Sequence, residues 1–103
     1  MKTLTFNVKE QDISKTEDFT RIIKGSKGYL NCLFTFDPSW ENFNAVAIFE
    51  HGEDSKIELI DSNGMCQVPD SMTDYESFSL KILGIKSQDI YTYTNKVLIE
   101  QEG

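Results

Sequence analysis

Leu30-Asn31-Cys32-Leu33-Phe34-Thr35-Phe36-Asp37-Pro38-Ser39-Trp40 is the stretch that decides the fold. Leu30, Cys32, Phe34 and Phe36 fall on one side, and Asn31, Thr35 and Asp37 on the other, with Leu33 the exception. An alternation of this kind is the mark of a strand with one face on a core. Asp37-Pro38-Ser39 ends it, because proline fixes its own φ and offers no N–H to a ladder. Ser39 has the character of a helix cap, but residues 37–43 are long enough for a single turn only. Trp40 then brings the sole indole of the chain to the end of the strand, where it is expected to plug a sandwich core.

Working outward, the same period recurs. Residues 2–8 place Leu4, Phe6 and Val8 on one face, and a short edge strand is expected at 12–16. Residues 19–24 also read as a strand, followed by a turn at Gly25-Ser26-Lys27-Gly28. Residues 44–50 are apolar on both faces, the pattern of a strand covered on both sides or of one flanked by the Trp40 loop. Ile57 and Leu59 share one face of residues 55–60. Asp61-Ser62-Asn63-Gly64 is a tight-turn signal leading into 65–68. Residues 76–85 alternate through Phe78, Leu80 and Ile82, with Gly84 expected to end the run. Residues 90–100 hold a final strand or strand pair with a bend or bulge at Asn95-Lys96. The expectation is an all-β chain: a single antiparallel β-sandwich of about seven to nine short strands over residues 1–103. Its core would hold Leu30, Cys32, Phe34, Phe36, Trp40, Phe49, Phe78 and Leu80.

The net charge is −7, from 17 acidic and 10 basic residues. Such a surface opposes binding to nucleic acid phosphates, and the acids are too scattered for a nucleic acid mimic. No apolar run approaches the roughly 20 residues that a membrane-spanning helix requires, and residues 1–9 lack the apolar core of a signal peptide. Cys32 and Cys66 are expected as two buried thiols rather than a bridge, which fits assembly inside a cell.

Chemistry has few candidates. His51 lies in Glu50-His51-Gly52-Glu53-Asp54, a polar hairpin tip without the further ligands that zinc needs. Asp61-Ser62-Asn63-Gly64 resembles part of a calcium loop, but the spacing fails and no closing glutamate follows. The cysteines lack an activating environment, no pair of carboxylates stands out, and there is no phosphate loop. The expectation is a non-enzymatic protein with no metal and no cofactor. Tyr91 and Tyr93 share a strand face and suit recognition of protein or sugar, though they would be equally ordinary on a half-buried strand.

From Cys32 to Ile99, about two thirds of the chain, a longer pattern runs. Cys32-Leu33-Phe34-Thr35-Phe36 and the tryptophan loop lead to Ala47-Ile48-Phe49. An Asn-Gly turn then precedes Cys66-Gln67-Val68-Pro69, followed by a strand with Phe78 and a final Tyr93-Thr94-Asn95-Lys96-Val97. This resembles the small immunoglobulin-like β-sandwich domains encoded among tail and baseplate genes of phages of Gram-positive bacteria. Such domains often carry an aromatic residue after the proline, where this chain has Asp70. The resemblance implies a virion structural or accessory protein, in tail, baseplate or head decoration, assembled in the host cytoplasm. Its partners would be other phage structural proteins or a host-surface component, met through loop ends and edge strands. The competing readings are a small acidic inhibitor of a host protein and a carbohydrate-binding module.

The protein should therefore give a β-dominated circular dichroism spectrum. Thiol titration of the denatured, unreduced chain should find both cysteines free; a helical spectrum or blocked thiols would contradict the reading.

Overall fold

The computed structural model describes residues 1–103. Nine strands form: β1 (Lys2–Lys9), β2 (Asp12–Lys15), β3 (Leu30–Phe36), β4 (Asn44–His51), β5 (Asp54–Leu59), β6 (Met65–Gln67), β7 (Ser77–Ser87), β8 (Ile90–Tyr93) and β9 (Val97–Glu100). The only helical pieces are single 3-10 turns at Pro38–Trp40 and Met72–Asp74. The first sheet has the order β2-β1-β3-β6; the second has β5-β4-β7-β8, with β9 also paired to β7. The two form a β-sandwich. From one side Leu4, Phe6, Val8, Cys32 and Phe34 enter the core, and from the other Ala47, Phe49, Phe78, Leu80, Ile82 and Ile99.

The Leu30–Phe36 alternation forms β3. Leu30, Cys32 and Phe34 are buried, as are Trp40, Phe49, Phe78 and Leu80. Phe36 is only half-buried, because it lies at the end of the strand, with its ring 5.3 Å from that of Trp40 at the rim. Cys32 faces Cys66 across β3 and β6, and both thiols are free and buried. A hydrogen bond between them, together with burial and their mutual repulsion as thiolates, raises the pKa of Cys32 well above its usual value.

Three expectations are corrected. The sheets are not wholly antiparallel: β1 runs parallel to β3, with Lys2 opposite Leu30 and Val8 opposite Phe36. The connection through residues 16–29 is long enough to bring the chain back to the starting end of β1, as a parallel pair requires. Residues 19–24 do not form a strand. Phe19 packs edge-on against Phe6 and Ile22 is buried. Three residues apart, they cannot share a face of a two-residue period, so Arg21 turns the chain between them at φ +56°. Only Ile23 keeps a bridge, to Glu102.

Gly84 does not end its strand. β7 runs on to Ser87, and the glycine sits in mid-strand as a flat seat for Trp40. A Cβ there would overlap the indole at Cζ3 and Cη2 and come within 3.1 Å of Phe43 Cδ1. The indole Nε1–H donates to the Glu10 carbonyl at 2.9 Å, which ties the β1–β2 turn to the second sheet.

Two side chains close the other seams. The Asn95 carboxamide accepts the Ile13 N–H at 2.8 Å and donates to the Ile13 carbonyl at 3.4 Å, acting as a strand neighbour for β2. Gln101 Nε2 donates to the carbonyls of Met72 and Tyr75, at 3.1 and 2.7 Å.

Trp40→Ala should lower stability by about 3–5 kcal/mol, as for a fully buried aromatic. Gly84→Ala should cost about 1–3 kcal/mol by overpacking. Urea titration of the pair Gly84→Ala and Trp40→Leu should give less than the sum of the two, because the smaller residue clears the clash. Strict additivity would show that the glycine does not serve the tryptophan.

Candidate protein-binding face

The outer faces of the two sheets differ in kind. On the first sheet β1 and β3 present Thr3, Thr5, Asn7, Asn31 and Thr35, with one apolar pair, Leu33 opposite Met65. The second sheet presents Val46 and Ile48 from β4, Ile57 and Leu59 from β5, Leu83 and Ile85 from β7, Tyr91 and Tyr93 from β8, and Leu98 from β9. Register aligns them in rows: Leu59, Val46, Leu83 and Tyr93 lie side by side, and Ile57 lies beside Ile48 and Lys81. Six of these side chains, Ile57, Leu59, Ile85, Tyr91, Tyr93 and Leu98, are 41 to 79% exposed. Scattered apolar residues are normal on a surface, but six on one sheet face make it the candidate interaction surface of the chain.

β5 shows how the face arises. Its alternation is amphipathic, but Lys56 and Glu58 take the inward side and Ile57 and Leu59 the outward one. The strand is the edge of its sheet, where inward-pointing charges oppose pairing with another strand. Apolar surface is thus offered as a face and withheld as an edge.

The polar centre of the face is closed on itself. Glu50 Oε1 lies 3.2 Å from Lys96 Nζ and 3.8 Å from Lys81 Nζ. The Lys81 ammonium also sits 5.1 Å from the centre of the Tyr93 ring, a cation–π contact. Tyr91 and Tyr93 stand edge to face, 6.3 Å apart at 88°.

The structure brings Tyr91 and Tyr93 onto this face, but sequence reasoning missed Ile57, Leu59, Ile85 and Leu98. The signal present was residues 44–50, apolar on both sides. It was met by the core on one side and by the outer face on the other, where Ile48 is itself buried.

A second feature is a hollow of about 400 Å³ at one end of the sandwich, floored by Phe36, Trp40 and Phe43 and walled by Ile60 and Asp61. Two of its polar groups already have partners inside the chain. Trp40 Nε1 is bound to Glu10, and Asp61 Oδ1 accepts the N–H groups of Asn63 and Met65, each at 2.9 Å. That pair of bonds accounts for the Asp61-Ser62-Asn63-Gly64 sequence as a turn. No three or more His, Cys, Asp or Glu side chains gather to hold a metal.

His51 is the last residue of β4. Its ring stacks on Tyr75 at 3.8 Å, and its Nδ1 bonds the Ser77 carbonyl at 2.8 Å. Tyr75 in turn donates to Asp54 Oδ2 at 2.9 Å. That bond first, then burial and the charges of Asp54 and Asp74, raises the Tyr75 pKa. The neutral phenol is the favoured form in the fold. Its contribution is whole below the ordinary tyrosine pKa of about 10 and is lost as pH rises through the higher folded value. In an alkaline absorbance titration one phenol should ionise later in the folded than in the unfolded chain, and Asp54→Asn should remove the delay.

No family model matches the chain, and no curated protein matches it in sequence. Among solved structures, the N-terminal domain of phage TP901-1 ORF48 superposes with a TM-score of 0.61 over 100% of both chains, at 10% sequence identity. At that identity the likeness is one of fold.

Proposed function

We propose that this chain is a non-enzymatic, protein-binding module of a phage particle, in contact with other phage structural proteins or a host-surface component. The observation that carries the reading is the apolar outer face of the second sheet. A rigid sandwich holds Ile57, Leu59, Ile85, Tyr91, Tyr93 and Leu98 in one plane, at no cost in loop ordering on binding. Aromatic anchors such as Tyr91 and Tyr93 carry much of the affinity in protein interfaces.

The fold shared with a phage domain supports placement among phage proteins, as does the resemblance of the Cys32–Ile99 pattern to immunoglobulin-like tail and baseplate modules. A place in tail, baseplate or head decoration and assembly in the host cytoplasm belong to the same proposal. The perpendicular rings of Tyr91 and Tyr93 give no flat two-ring platform for a sugar, which favours protein contact over the carbohydrate reading. The acidic surface acts more on the rate of encounter than on the strength of the complex.

Mass spectrometry of purified virions, with antibody labelling of the particle, tests the proposal. Stoichiometric presence is expected. Absence from particles, with co-purification of a host enzyme early in infection, would replace the proposal with the inhibitor reading.

A further inference from the structure

Resting on the reading of the outer sheet face as a protein-binding surface, we infer its occupant: a second copy of this chain, seated face to face as a symmetric dimer.

Area is the first argument. At their exposures, Ile57, Leu59, Ile85, Tyr91, Tyr93 and Leu98 offer on the order of 600 Å² of apolar surface, taking a large side chain as roughly 150–200 Å². Two such faces together would bury about 1,200 Å², the lower end of the class of stable protein interfaces.

Charge is the second. The chain carries −7 overall, so two copies repel each other over most of their surface. This face is the exception. Its charges are Glu50, Lys81, Lys96 and, at the end of β9, Glu100, which cancel. Glu50 is held within the chain by both lysines. A basic partner would find no unpaired acid in the middle of the face, whereas a face whose charges cancel meets its own copy without net repulsion.

The third argument is geometry. A twofold axis through the Ile48–Lys81 region sets the same patch against itself, as an isologous interface requires. Sheets stack face to face at about 10 Å with interleaved side chains. The inward Lys56 and Glu58 of β5 disfavour the edge-to-edge alternative.

Sedimentation equilibrium of the purified chain from about 1 to about 100 µM tests this, a range that brackets micromolar dimers. The expected result is a mass rising to twice the 11.8 kDa of the chain. Leu59→Lys with Tyr91→Lys should hold it at the monomer mass, with the melting temperature kept because both residues are exposed. Thr35→Lys, on the polar outer face of the first sheet, should leave the dimer intact. A monomer at the highest concentration, or a dimer unmoved by the two lysines, would overturn the inference. Incorporation of the same variants into particles separates the two readings. If the native chain is monomeric and the lysines abolish incorporation, the face docks a different protein: the dimer falls and the proposed function stands. If the dimer forms but the chain is absent from particles, the dimer stands and the phage-particle reading falls.

Discussion

The indole of Trp40 seated against Gly84 is the contact on which the rest of the sandwich depends. It is made between a residue just past β3, in the first sheet, and the middle of β7, in the second. Its nitrogen reaches the β1–β2 turn through the Glu10 carbonyl. One side chain therefore sets the spacing of the sheets at this end and the position of the first hairpin. Its apolar body fills the gap, and its single polar atom is satisfied, as a buried indole requires. Phe36 and Phe43 flank the ring at 5.3 and 5.6 Å, so three tilted aromatic rings close this end of the core and floor the hollow above it.

Period-two alternation made most strands legible, because burial on one face leaves a direct trace in sequence. Leu30, Cys32 and Phe34 are the plainest case. What stayed illegible depends on neighbours distant in the chain. The parallel partnership of β1 and β3 is fixed by where residues 16–29 return, which no local pattern records. Residues 19–24 have the composition of a strand, but Phe19 and Ile22 both serve the core at a spacing of three. Gly84 reads as a terminator until the indole above it is known. For Ile57 and Leu59 the alternation was visible, but the side that faces inward was not. An amphipathic strand carries the same pattern whether its apolar row meets a core or a partner.

That ambiguity explains why the candidate site was only half seen. Tyr91 and Tyr93 stood out because tyrosine is common in recognition surfaces, whereas isoleucine and leucine carry no such mark. The two outer faces of this sandwich differ. Threonine and asparagine cover one sheet, as expected for a surface in water. Isoleucine, leucine and tyrosine cover the other, at a density that water does not favour.

The seams closed by Asn95 and Gln101 bear on how the chain reaches this state. Both residues follow the segments they serve by a long stretch of chain, Asn95 serving β2 and Gln101 the turn at 72–75. Residues 22–24 likewise wait for Glu102. Until these late segments arrive, β2 has no neighbour on its outer side and the two sheets are open along one flank. Contacts between residues about 80 positions apart are costly to close and slow to form. The sandwich therefore closes as a unit rather than strand by strand. Before closure its inner rows and its apolar outer face are exposed together, and that open state is the one most prone to aggregate.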